Sequence, residues 1–212
     1  RQMCIRDRYI IGEKSMKQII LATKNKNKLV EVKAVLGNDY EVLSMEDIGI
    51  DVDVEENGTT FEENATIKAE AICKICGKPV MADDSGLEID YLDKKPGVLS
   101  ARFLGHDTSY DIKNAKILEM LEDVPEEKRT ARFVCSIAVA FPDRDTVVVR
   151  DTIEGIIGYE SAGENGFGYD PIFYVPELKK TTAQLSMEEK NKISHRGKAL
   201  VKMANRLKDM NL

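Results

Sequence analysis

Several polar clusters in this chain have the residue types needed to handle a phosphate-bearing ligand. Thr23-Lys24-Asn25-Lys26-Asn27-Lys28 follows an apolar run, Ile19 to Ala22, and precedes a segment with helical periodicity. At a helix start the free backbone N–H groups and the dipole favour an anion. Thr and Asn side chains can hydrogen-bond phosphate oxygens, and lysines add positive charge. The same residues also suit a solvated basic turn, and spacing alone does not separate the two readings.

Asp83-Asp84-Ser85-Gly86 carries adjacent carboxylates after the short apolar run Val80-Met81-Ala82. If the strand continues, adjacent side chains point to opposite faces, so at most one of the pair faces a cleft. That carboxylate can ligate Mg²⁺ or act as a general base, and Gly86 lets a ligand approach the backbone closely. An Asp-Ser-Gly turn is the plainer alternative. The acidic run Asp51-Val52-Asp53-Val54-Glu55-Glu56 offers further carboxylates. Mg²⁺ usually takes one or two protein carboxylates together with substrate phosphates, although such a run also suits a solvated loop. Asn64 and Lys68 lie one helical turn apart and share a face, aimed either at a phosphate or at solvent.

Gly163-Glu164-Asn165-Gly166-Phe167-Gly168-Tyr169-Asp170-Pro171 is glycine-rich without being a dinucleotide fingerprint, because a proline and a strand follow where a helix is required. No G-x-x-x-x-G-K-[ST] occurs, which excludes a P-loop. Phe167 and Tyr169 can stack on a flat ring or serve as core aromatics. Ser194-His195-Arg196 opens the last helical segment, and both His195 and Arg196 can donate to carbonyl oxygens of a base. Cys73-x-x-Cys76 lies within a helical pattern and has no second pair of ligands, so it does not read as a zinc site. His106-Asp107 lacks the further histidines that metal phosphohydrolase chemistry requires, and no Ser–His–Asp arrangement can be argued from spacing.

The elements that must position these groups follow from periodicity. Strands are expected at 17–23, 80–82, 87–90, 129–141 and 172–175, with another from about 40 and one through Val147 and Val149. Helices are expected at 26–36, 60–76, 109–121, around 186–190 and at 194–207. Thr60 with Glu63 has the capping-box pattern, Ala65, Ala69, Ile72 and Cys76 form the apolar stripe, and Gly77 with Pro79 stops the helix. Strands and helices alternate early and a long hairpin dominates the middle, which predicts an α/β fold with a mixed sheet.

The bulk properties bound the answer. Hydrophobic residues make up 42% and charged residues 32%, a globular composition. The net charge of −6 argues against a general nucleic-acid binder, while a local lysine cluster can still attract a small polyanion. No apolar run approaches the roughly 20 residues of a membrane helix, so no membrane contact is expected. Cys4, Cys73, Cys76 and Cys135 are too few for a disulfide framework, and residues 1–15 lack the apolar core of a signal peptide; both favour a reducing cytoplasm. Well-patterned sequence starts at Met16, so residues 1–15 are expected to be an extension and the N-x-T sequons at Asn57 and Asn64 to be chance matches.

Taken in order, these segments resemble the inosine triphosphate pyrophosphatase family, also described as XTP/dITP diphosphatases acting on non-standard purine nucleoside triphosphates. The resemblance spans Met16 to Leu207. It rests on Leu21 to Lys28 with its T-x-N-x-x-K pattern, Thr60-Phe61-Glu62-Glu63-Asn64-Ala65 and Ala82-Asp83-Asp84-Ser85-Gly86-Leu87. Ser100-Ala101-Arg102-Phe103, Gly166 to Pro171 and Ile193-Ser194-His195-Arg196 complete it. It implies an elongated mixed β-sheet with flanking helices, forming two lobes around a central nucleotide cleft, with residues 16–212 as a single two-lobed domain and a homodimer as the usual state. It implies hydrolysis of ITP, dITP and XTP to the monophosphate and pyrophosphate. Asp84 is then the catalytic carboxylate, and Glu55 with Asp84 holds Mg²⁺, unless the acidic run aligns one residue later onto Glu56. Thr23, Asn25, Lys28 and Lys68 bind the triphosphate with Ser85 nearby, and Lys24, Lys26 and Asn27 belong to the same loop. Phe167, Gly168, Tyr169, Asp170, Lys190, His195 and Arg196 surround the base, where donors from His195 and Arg196 would select a 6-keto purine. No residue is identified that would exclude GTP.

Overall fold

The computed structural model describes residues 16–210; the expected extension, residues 1–15, lies outside them. Eight strands form one mixed sheet: β1 Lys17–Leu21, β2 Tyr40–Ser44, β3 Val80–Ile89, β4 Lys95–Pro96, β5 Thr130–Ala140, β6 Val147–Ile157, β7 Phe173–Val175 and β8 Lys180–Thr181. The helices are α1 Lys26–Leu36, α2 Phe61–Cys76, α3 Tyr110–Met120, α4 Met187–Ile193 and α5 His195–Asp209. The strand order is β2-β1-β3-β5-β6-β7-β8, with β4 paired to β3. β1 pairs in parallel with β2 and β3, and the remaining pairings are antiparallel. The expected mixed α/β sheet is therefore observed.

One expectation fails in an informative way. The sequence suggests two short strands interrupted around Asp83–Gly86, whereas β3 runs unbroken through that segment. The cause is tertiary: β5 offers a partner at every position from Val80↔Ala140 to Ile89↔Ala131. The opposite edge of β3 is paired only at its two ends. β1 reaches Met81, where Ala22 N–H donates to Met81 O at 2.8 Å, and β4 begins at Glu88. Between them, Ala82 to Leu87 meet no strand on that edge, and the cleft opens there.

Alternation along β3 divides the core. Met81 belongs to an apolar cluster built with α1 and α5, including Leu36, Leu200 and Met203. Leu87 and Ile89, on the same face, belong to a second cluster with α3, Phe133 and Phe173. Asp83 and Ser85 separate the two. On the other face Val80 and Ala82 pack under α2 against Ala65, Ala69 and Ile72. α2 has the expected capping box between Thr60 and Glu63, and Gly77 ends it in the left-handed region. Its stripe needs one correction: Cys73 is buried against the sheet, while Cys76 is only half-buried.

Candidate active site

The cleft floor is the β3 segment Asp84-Ser85-Gly86. Because the strand continues, the paired carboxylates face opposite ways. Asp83 turns toward α1 and α5, and Asp84 toward α2. Gly86 is required by packing: a Cβ there would fall 2.4 Å from Gly97 O and 2.5 Å from Ser100 Oγ.

Asp83 is a buried hub. Its Oδ2 accepts from Lys28 Nζ at 2.9 Å, the Ser85 hydroxyl at 3.2 Å and Arg196 Nε at 3.3 Å. Burial alone would raise its pKa, but the Lys28, Arg196 and Lys68 charges hold the carboxyl well below the usual range. Arg196 also donates to Glu31 at 2.7 Å. The arginine expected to donate to a base thus joins α5 to α1 and β3.

Asp84 has a different environment. Asn64 Nδ2 donates to its Oδ2 at 3.1 Å, and the Ser85 backbone N–H to its Oδ1 at 3.0 Å. Burial pushes its pKa up; the Lys68 charge opposes this and the Glu56 charge adds to it. Lys68 Nζ lies 2.7 Å from Glu56 Oε1. Its pKa is raised although burial alone would lower it, because Asp83, Asp84 and Glu56 surround it. The acidic run contributes Glu56, whose backbone carbonyl is held by Arg102 at 3.1 Å. Glu55 is exposed and does not line the cleft, whereas Glu56, the alternative left open by the acidic run, lines it with Asp84. In an extended segment neighbouring side chains diverge, and the Glu56 clamp selects which one turns inward.

The basic loop is less uniform than its composition suggests. Asn25 caps α1, its Oδ1 accepting from the N–H groups of Asn27 and Lys28 at 2.9 and 3.4 Å. Those two N–H groups are therefore already taken up by the cap. Asn25 and Lys28 line the cleft. Thr23 lines an adjoining recess with Asn25, Lys28, Glu56 and Lys68, and its Oγ1 accepts from Asn25 N–H at 3.1 Å. Lys24 borders that recess too, but is largely exposed and paired with Asp51 and Asp53 at 2.9 Å each. Lys26 is exposed and lines none of these recesses, and Asn27 borders a separate hollow between α1 and α4.

The glycine-rich segment forms the opposite wall. Asp170, 3% exposed, accepts from Phe167 N–H at 2.8 Å, the Thr182 hydroxyl at 2.8 Å and Lys190 Nζ at 2.6 Å. It shapes the loop and anchors Lys190 rather than presenting a free carboxylate. Gly166 has φ +78°, and a Cβ would lie 2.3 Å from Asp170 Oδ2, so glycine is needed for this closure. Phe167 is half-buried, with Lys190 Nζ 5.1 Å and the Arg196 guanidinium 5.7 Å from its ring centroid. Tyr169 is buried, donates to Ser100 O at 2.8 Å and meets Tyr110 edge-on, so of the two aromatics Phe167 is the more accessible. His195 stacks on Phe133 at 4.9 Å; burial and the Arg196 and Lys190 charges push its pKa well below the usual value, and its Nδ1 has no partner.

Ser85, Phe167, Gly168, Tyr169, Asp170, Lys190, His195 and Arg196 thus line one cleft with Asp84, Lys28 and Lys68. Ser100, Ala101 and Tyr110 line it too. Ser100 and Ala101 fall in a quoted motif but have no diagnostic chemistry, and only tertiary packing brings Tyr110 there.

The family model for the Ham1 family matches residues 19–206. The chain belongs to the Ham1 family. A Ham1 relative from Halalkalibacterium halodurans, named dITP/XTP pyrophosphatase, is 53% identical over 186 residues, covering 87% of this chain and 96% of that protein. A protein of the same name from Exiguobacterium sibiricum is 50% identical, covering 88% and 94%. The Staphylococcus aureus Ham1 protein structure superposes with a TM-score of 0.85 at 44% identity, covering 92% of this chain and all of that one. The nucleoside-triphosphatase, dITP/XTP pyrophosphatase, of Mycobacterium abscessus gives 0.73 at 42% identity, covering 88% and 98%. The Ham1 fold thus accounts for the mixed sheet described above. Among the described residues no helix is long and apolar enough to cross a membrane.

Proposed function

We propose that this chain hydrolyses dITP, ITP and XTP to the nucleoside monophosphate and pyrophosphate. The observation carrying this reading is the cleft itself. It opposes a carboxylate and lysine wall, Asp84, Glu56, Lys28 and Lys68, to a wall bearing the half-buried ring of Phe167. The names of the relatives agree with it.

Asp84 holds the attacking water and takes its proton as the water oxygen bonds to the α-phosphorus and the bond to the β-phosphate oxygen breaks. Asn64 and the Ser85 N–H place one protein donor on each Asp84 oxygen, which leaves lone pairs to accept that proton. Lys28 and Lys68 each have three N–H donors, so their pairing with Asp83 and Glu56 leaves donors for phosphate oxygens. Glu56 and Asp84 suit Mg²⁺: a buried carboxylate with a raised pKa beside a second carboxylate favours a cation. Among the described residues no cluster of three ligating side chains exists, which fits an ion completed by phosphate and water. Bound there, Mg²⁺ would offset charge on the triphosphate.

The base would lie on Phe167, with His195, which lines the same cleft, donating to the 6-keto oxygen. We further propose that the reaction runs in the cytoplasm, a compartment in which the free Cys73, Cys76 and Cys135 would stay reduced, and that the chain works as a homodimer, testable by analytical ultracentrifugation. The decisive assay is Mg²⁺-dependent pyrophosphate release from ITP, XTP, dITP, GTP and ATP. ITP, dITP and XTP should turn over and ATP should not; equal rates for ATP and ITP would overturn the base contacts. Asp84→Asn should lower kcat by about 10²-fold or more, and near-normal turnover would remove Asp84 from its role.

A further inference from the structure

We infer that Asn64 is a positioning residue for Asp84, locked by Gly58. The inference deepens the proposed reaction and rests on the role of Asp84 in it. Asn64 is fully buried on α2. Its Oδ1 accepts from the Gly58 backbone N–H at 2.8 Å, and its Nδ2 donates to Asp84 Oδ2 at 3.1 Å.

The orientation of this amide follows from its partners. A backbone N–H can only donate, so the Asn64 atom that meets Gly58 must be the oxygen. The NH₂ group is thereby turned to Asp84. With Ser85 N–H on Oδ1, each carboxylate oxygen has one protein donor, and the carboxyl plane is fixed. The remaining lone pairs are left for whatever enters the cleft.

Gly58 is shaped for this task. A Cβ there would lie 2.7 Å from Asn64 Oδ1, 2.7 Å from Glu63 Cβ and 3.1 Å from Asn64 N. Any larger residue would push the amide or the loop aside. Gly58 also lies two residues after Glu56, so one buried amide ties the loop carrying Glu56 to the carboxylate facing it. Asn64 is not among the residues lining the cleft. It acts through Asp84.

The test is a mutant cycle with ITP as substrate. Asn64→Ala should lower kcat by about 10- to 100-fold, as loss of an orienting partner typically does, while KM changes far less. Gly58→Ala, which leaves Asp84 and Asn64 in place chemically, should lower kcat in the same direction and covers the case in which Asn64→Ala does not fold. In the Asp84→Asn background neither change should reduce the residual rate further. Circular dichroism and thermal melts confirm the folded state of each variant. If Asp84→Asn keeps near-normal turnover, the reading of the site fails. If Asp84→Asn is impaired but Asn64→Ala and Gly58→Ala leave kcat unchanged, or lower it equally in the Asp84→Asn background, the inference on Asn64 fails and the reading stands.

Discussion

Replacing Asp83 by Asn isolates the buried hub from the chemistry on the other face of β3. The side chains of Asp83 and Arg196 are 7% and 6% exposed, so water screens the pair little. The amide keeps the shape and can still accept one hydrogen bond, but Lys28 and Arg196 lose the charge lying between them. Removing one partner of a buried pair costs about 3–5 kcal/mol. The retained hydrogen bond and the Glu31 contact to Arg196 favour the lower end. For a chain of this size each kcal/mol shifts Tm by about 2–4 °C, so a fall of about 6–12 °C follows from about 3 kcal/mol. The pH dependence adds a signature. The Asp83 pKa is depressed below its ordinary 3.8, so its contribution is complete above that value and is lost as pH falls through it toward the lower folded value. The Tm difference between parent and variant should therefore be constant near neutrality and shrink below about pH 4. Differential scanning calorimetry from pH 3 to 7 measures this, and steady-state kinetics with ITP should show KM rising as Lys28 and Arg196 lose their anchor. A variant melting within about 2 °C of the parent at pH 7 would refute the argument.

Two further predictions separate neighbours or roles. Glu56→Gln should lower pyrophosphate release at least about tenfold at fixed Mg²⁺, partly restored by more Mg²⁺, while Glu55→Gln leaves it unchanged; the reverse pattern would restore Glu55 to the site. Asp170→Asn should lower Tm and raise KM for ITP more than it lowers kcat, because it frees Lys190 and the Phe167 loop without touching Asp84; unchanged KM would contradict the anchoring role.

What the sequence makes legible is what repeats locally. The capping box at Thr60 and the stop at Gly77 follow from neighbours within a few residues, and both are observed; the strand expected at 129–141 is observed too, but from Phe133 to Ala140 it is buried on both faces rather than alternating. Asp83-Asp84-Ser85-Gly86 has turn-forming composition, and only pairing to β5, some 50 residues away, holds it as strand. The choice of Glu56 over Glu55 likewise depends on Arg102, which holds the loop from a distant segment. Residue type indicates which side chains carry charge but not which are already committed. Lys24 resembles Lys28 in the sequence, yet it pairs with Asp51 and Asp53 in solvent while Lys28 lines the cleft. Arg196 and Asp170, which look like ligand-binding groups, are mainly occupied in holding the walls.

The opposite fates of the adjacent carboxylates explain how one strand serves both rigidity and reaction. Side-chain direction on a strand reverses at each residue, so the β3–β5 register alone decides that Asp83 meets Lys28 and Arg196 and Asp84 meets Asn64 and the cleft. A shift of one residue would put Ala82 in the place of Asp83 or Ser85 in the place of Asp84, removing a carboxylate from among the cations or from the cleft. The pairing Asp84↔Ser136, fixed within an eleven-residue β5, resists that shift. Asp83 gathers Lys28 from the phosphate side and Arg196 from beneath Phe167, so both walls refer to the strand that carries Asp84. Their spacing is therefore set by β3 itself rather than by the loops between them.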